Sequence, residues 1–188
     1  MSEQQVESTL AKLLQQRPTQ ILSWVGRISS GQEHAPPDFY WPGLAEAAAS
    51  RARWGHDSGR PSQALEWARV ATSVYDHLAR SGEGDESNSY VLSSMMLRAF
   101  MISHIGPTRG DPVLDLQEII NLFFDEIPFT YEETLMMVKS RNDIDIQNVK
   151  DLRKLKNRLR VIDLLVDSGH LVPSKELSVW LSLREQLP

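Results

Sequence analysis

Between Ala52 and Ala71, small side chains recur where two helices would have to touch. Ala52 is followed seven residues later by Gly59, five later by Ala64 and seven later again by Ala71, with Trp67 and Ala68 between the last two. Helix axes approach closely only where side chains are small, and a glycine between helical runs supplies the left-handed turn that reverses the chain. The stretch therefore predicts a helical hairpin. Helical periodicity continues on both sides, and no run shows period-two alternation of β-branched residues bounded by turns. Helices are predicted at 2–15, 18–29, 42–57, 61–80, 88–105, 112–126, 130–140, 146–168 and 174–186. The fold class is all-α, an antiparallel helical-hairpin array or an irregular helical bundle.

A chain of 188 residues, 41% hydrophobic and 24% charged, can bury a core without metals or disulfide staples. One domain over 1–188 is expected, with 139–188 a candidate C-terminal helical appendage. The sequence holds no cysteine, which excludes disulfides, thiolate zinc sites and cysteine nucleophiles. Met1 to Leu14 carry no secretory signal pattern, and no apolar stretch is long enough to span a membrane, so a cytoplasmic location is expected. The net charge of -5 is unevenly spread. Residues 1–138 carry 18 acidic and 10 basic side chains, whereas residues 139–188 carry 7 and 10. That asymmetry suits either ordinary surface variation or two faces with different partners.

Helix ends carry their own punctuation. Ser2 with Gln5 and Thr130 with Glu133 have capping-box spacing, in which a hydroxyl and an N3 side chain exchange bonds with orphan amides. Asp111 and Pro112 read as an N-cap and first helical residue. Gly169, followed by Pro173, reads as a stop. Loops are expected at Ser29 to Pro37, at the acidic Gly82 to Ser87 and at Gly106 to Gly110.

Within residues 42–80, the run Gly-Arg-Pro-Ser-Gln-Ala-Leu-Glu-Trp-Ala-Arg-Val-Ala at 59–71 resembles a tetratricopeptide repeat. The match covers about one repeat. It departs from the family pattern at Gly55, where a large aromatic is preferred, and at Arg51, which replaces a leucine. A degenerate second copy runs from Ala99 through Gly106 and Gly110 to Val113–Phe124. The resemblance implies a concave surface, lined by first helices, that grips a peptide or helix of another protein. On this chain it would involve Trp41, Ala45, Arg51 and Trp54, with Ser94 and Arg98 from the degenerate copy. The competing account is that Trp41, Trp54 and Trp67 fill the core, since aromatics are large apolar groups before they are ligands.

Asp38-Phe39-Tyr40-Trp41 is the first candidate for partner contact. Three consecutive aromatics cannot all enter one core from a helix start, and tyrosine and tryptophan dominate interface energetics. The alternative is a plug over the end of the hairpin. The second candidate is the basic helix 146–168, whose stripe of Val149, Leu152, Leu155, Leu159, Ile162 and Val166 leaves cations on the remaining circumference. Arg153, Lys154 and Arg158 are its expected contact residues, toward nucleic acid or an acidic protein; a solvated face is the alternative.

The five histidines are scattered and none has metal-binding spacing with a second ligand. Asp125-Glu126 and Glu132-Glu133 could serve acid–base chemistry only in separated environments, and the latter pair suits the positive end of a helix dipole. Arg109-Gly110-Asp111 spells an integrin-type tripeptide in what reads as a turn before a helix. No glycine-rich phosphate loop is present. No catalytic, cofactor or metal site is therefore expected. The sequence points to a noncatalytic adaptor binding another protein or peptide. The alternatives are a small acidic inhibitor, such as an immunity protein neutralising a toxin, and a nucleic-acid-associated protein using helix 146–168. Nucleic acid is disfavoured by the overall negative charge.

Overall fold

The computed structural model describes residues 9–82, 84–125, 127–140 and 146–188. The expected capping pair Ser2–Gln5, the first half of helix 2–15, Glu83, Glu126 and Asp145 lie outside the described residues. Among those described, the chain is all-α and no strand is present. A short helical segment at 9–13 precedes α1 (Pro18–Ser29), α2 (Trp41–Asp57), α3 (Pro61–Ser81), α4 (Gly84–Ile105), α5 (Leu116–Phe124), α6 (Tyr131–Lys139), α7 (Ile146–Asp167) and α8 (Lys175–Leu183), with a final 3-10 turn at Arg184–Gln186. No described helix is long and apolar enough to cross a membrane. The chain divides into two compact units, residues 1–101 and 102–188, and the division falls inside α4. The shift in charge at 139 lies elsewhere.

In the first unit, α2 and α3 form the hairpin that the small residues predict. Ala45, Ala48, Ala49 and Ala52 of α2 and Ala64, Ala68 and Ala71 of α3 are all buried. At the turn, Gly59 adopts φ +70, its amide donates to the His56 carbonyl, and the Arg60 amide donates to Gly55 O at 2.8 Å. These two bonds satisfy carbonyls that the end of a helix otherwise leaves orphaned. A methyl on Gly55 would meet the Ala64 backbone at 3.1 Å, so this departure from the tetratricopeptide pattern lies at a close approach of the two helices. Trp54, the adjacent aromatic, turns outward instead.

The α4 helix runs back along α3. The Arg98 guanidinium pairs with the Asp76 carboxylate through Nη2–Oδ2 at 2.9 Å and Nη1–Oδ1 at 3.3 Å, and Ser94 Oγ donates to the same carboxylate at 2.7 Å. Arg98 and Ser94 are both buried. They were expected on a binding surface; they instead form an ion-pair network that joins two helices, because only a partnered guanidinium tolerates burial.

The second unit is built on α7. Leu152, Leu155, Leu159, Ile162 and Leu165 form its buried stripe, and Ile119 and Phe123 of α5, Val138 of α6, and Leu177, Trp180 and Leu183 of α8 are buried in the same unit. Trp180 meets Phe123 and Tyr131 edge-on at 6.2 and 5.6 Å. Burying each such side chain stabilises the unit by roughly 1.5–3 kcal/mol. Arg184 pairs with Asp163, fastening the last turn to α7.

One expected helix start moves. The helix read from Pro112 begins at Leu116, and Asp115 is its N-cap, accepting the Gln117 amide at 2.9 Å. Asp111 caps a separate turn, accepting from Val113 and Leu114 at 2.9 and 3.1 Å. Two aspartates four residues apart thus divide the work, the first closing a turn and the second capping the helix. The Thr130–Glu133 capping box forms as expected, with bonds of 3.2 and 2.7 Å. The stop at Gly169 forms too, with φ +74.

Candidate functional site

Pro36, Pro37 and the left-handed backbone of Asp38 (φ 58) turn the chain sharply between α1 and α2. Aspartate tolerates this conformation better than most residues. The turn sends Phe39 and Trp41 one way and Tyr40 another. Phe39 and Trp41 fold onto Trp24 of α1: the Trp24–Trp41 rings stack at 5.4 Å, and Phe39 stands edge-on to both at 5.2 and 4.8 Å. Tyr40 lies across Gly43, where no side chain would fit beneath its ring, and remains 51% exposed.

His77 of α3 closes the cluster, its ring 4.7 Å from that of Trp41 and its Nδ1 3.3 Å from Ser29 Oγ. Partial burial holds the His77 pKa below its ordinary value, and the nearby Arg80 charge lowers it further. On the other side, Trp24 Nε1 donates to Glu33 Oε1 at 3.0 Å, and Arg27 Nε donates to Glu33 Oε2 at 2.7 Å. These bonds pin the loop after α1 back onto that helix.

The cluster borders an open groove of about 910 Å³ between the 9–13 segment and α1. Leu13, Trp24 and Phe39 provide its apolar wall, while Lys12, Gln16, Gln20 and Ser23 line it with donors and acceptors. Such a groove suits an extended or helical segment whose apolar side chain meets the aromatic wall while its backbone reaches the polar rim. Trp24, Lys12, Gln16 and Gln20 were not singled out from the sequence. No local signal joins Trp24 to Trp41; only the folded-back loop does.

The remaining expected contact residues are dispersed. Ala45 is buried in the hairpin. Arg51 points its guanidinium over Trp67, 4.5 Å from the ring centre, and donates from Nη1 to Leu14 O at 2.6 Å, so it ties the N-terminal segment to α2. Trp54 is 56% exposed near the hairpin turn, with Arg60 over its ring at 5.4 Å. Along α7, Arg153 is exposed, Lys154 pairs with Asp151 at 2.9 Å, and Arg158 is only 3% exposed. Arg158 therefore cannot belong to a solvent-facing basic surface. It lies on the flank of the apolar stripe, where the short repeat of Leu155, Leu159 and Ile162 draws it inward.

In Arg109-Gly110-Asp111 the Asp111 carboxylate is engaged by two backbone amides of its own turn. Among the described residues, no group of three His, Asp or Glu side chains is placed to hold a metal ion. The chain matches no protein-family model, and no curated protein or solved structure shows significant similarity to it.

Proposed function

We propose that this protein is a cytoplasmic, noncatalytic helical module that binds a segment of another protein along the groove beside Trp24. The carrying observation is the Trp24–Phe39–Trp41 cluster at the wall of an open, polar-rimmed channel. Rigid, pre-packed aromatics contribute most to binding because little side-chain freedom is lost when a partner covers them. The α2–α3 hairpin, with its tetratricopeptide-like spacing, supports the same reading by supplying a stiff base on which that wall rests. Tyr40, exposed beside the cluster, extends the contact area.

A photo-crosslinking phenylalanine analogue placed at Gln20 tests this in the source cell. It is expected to trap one protein in high yield, and Lys12→Glu combined with Gln16→Lys is expected to reduce that yield severalfold. Trapping no greater than with the analogue at Ser178, on α8, would count against the groove.

A further inference from the structure

The α7 helix turns a second stripe to solvent, opposite in character to its buried one. Ile146, Lys150, Arg153, Asn157, Arg160 and Leu164 are all exposed and follow one another at intervals of four, three, four, three and four residues. At these intervals the six side chains share one face of the helix, which a second helix can lie along. The stripe is about 27 Å long at 1.5 Å per residue. Its ends are apolar, with Ile146 79% and Leu164 64% exposed. Between them stand three cations. Lys150 and Arg153 have no ion-pair partner among the described residues, and Arg160 makes only a long 3.5 Å hydrogen bond to Asn157. The neighbouring cations are committed elsewhere, Lys154 to Asp151 and Lys156 to the Leu187 carbonyl at 2.7 Å.

We propose that this stripe docks an acidic amphipathic helix of another protein. Carboxylates of that helix would face Lys150, Arg153 and Arg160, and apolar side chains would cover Ile146 and Leu164. Charge complementarity and spacing together select this occupant. Exposed isoleucine and leucine gain nothing from a phosphate backbone, whereas a helix partner can bury both at once. The net charge of -5 also repels an extended polyanion or an anionic bilayer more than a compact acidic helix that touches only the cationic stripe. The proposal does not depend on the groove beside Trp24, and its variants leave that groove untouched.

The probe is a synthetic helical peptide of about 20 residues, leucine at both ends and glutamates between them at the same alternating spacing. Its binding to the full chain is followed by fluorescence anisotropy, beside a scrambled peptide of identical composition, a short DNA duplex and phosphatidylserine vesicles. The registered peptide is expected to bind at least about tenfold more tightly than the scramble, and more weakly as salt rises. Lys150→Glu with Arg153→Glu, and separately Leu164→Asp, are expected to weaken it about tenfold without changing helical content or Tm. Lys175→Glu on α8 serves as the charge control and is expected to change little. Equal binding of the scramble, tighter binding of duplex or vesicles, or no measurable binding of the registered peptide would each overturn the proposal.

Discussion

Two glycines separate packing from backbone propensity. Gly55 has the Ala64 backbone 3.1 Å from where a methyl would stand, whereas the corresponding position at Gly26 has nothing within 4 Å. Alanine favours a helix over glycine by roughly 1 kcal/mol. At Gly26 that gain is uncontested, so Gly26→Ala should raise stability by about 0.5–1 kcal/mol in urea titrations. At Gly55 overpacking against a hairpin backbone wins, and Gly55→Ala should lower stability by about 1 kcal/mol. Asp76 is a different case. Removing its carboxylate takes away the ion pair and two hydrogen bonds that the buried Arg98 makes to it, so Asp76→Ala should cost about 2–3 kcal/mol, the partial exposure of Asp76 holding the loss below that of a fully buried pair. Replacing both residues with apolar ones should recover part of that loss.

Individual elements depend on their caps in proportion to how short they are. The nine-residue α6 is well below the length at which a helix persists alone, so the Thr130–Glu133 box matters more there than it would on α3. Thr130→Ala should cost about 1 kcal/mol and raise amide exchange in the first turn of α6 before any other segment. At α5, amides of Gly110 and Gln117 donate to the Asp115 carboxylate and hold its pKa below the ordinary 3.8. A carboxylate with a depressed folded pKa contributes stability that is complete above about 3.8 and is lost as pH falls further. Burial acts on His77 in the same direction: its contribution is complete above about 6.5 and declines as acid protonates the unfolded chain preferentially. The acid-side loss of Tm should therefore come in two windows. His77→Gln should flatten the one below 6.5, and Asp115→Asn the one below 3.8.

At the scale of the whole molecule, each of the two compact units has its own buried set of apolar side chains. Damage to one core should therefore not spread evenly. Gly55→Ala should lower hydrogen-exchange protection across α2 and α3 more than across α7 and α8. Equal loss everywhere would show that the chain unfolds as a single cooperative body. Trp180 is the only tryptophan beyond residue 101, so fluorescence of a variant keeping Trp180 alone would follow the second unit separately.

The helical class, most helix positions and the α2–α3 hairpin were legible because they depend on local spacing. An alanine every few residues, a glycine at a turn and a threonine three places before a glutamate act over less than two helical turns. That logic misplaced the start of α5, read at Pro112 with Asp111 as its cap, because Asp111 closes a turn of its own and Asp115 caps the helix. Side-chain assignment on α7 failed at Arg158 for a related reason. A helical wheel gives angles around an axis but not which part of the circumference neighbouring helices will cover. Phe39, Tyr40 and Trp41 stood out in the sequence, but their setting needed the fold: Trp24, Phe39, Trp41 and His77 belong to three helices and a loop, and the chain reverses at Pro36–Asp38 and again at Gly59 before their rings meet. Periodicity in the chain determined which segments are helices and where the apolar stripe of α7 runs. The aromatic wall and the exposed cationic stripe were decided by tertiary packing, because exposure is what neighbouring elements leave uncovered.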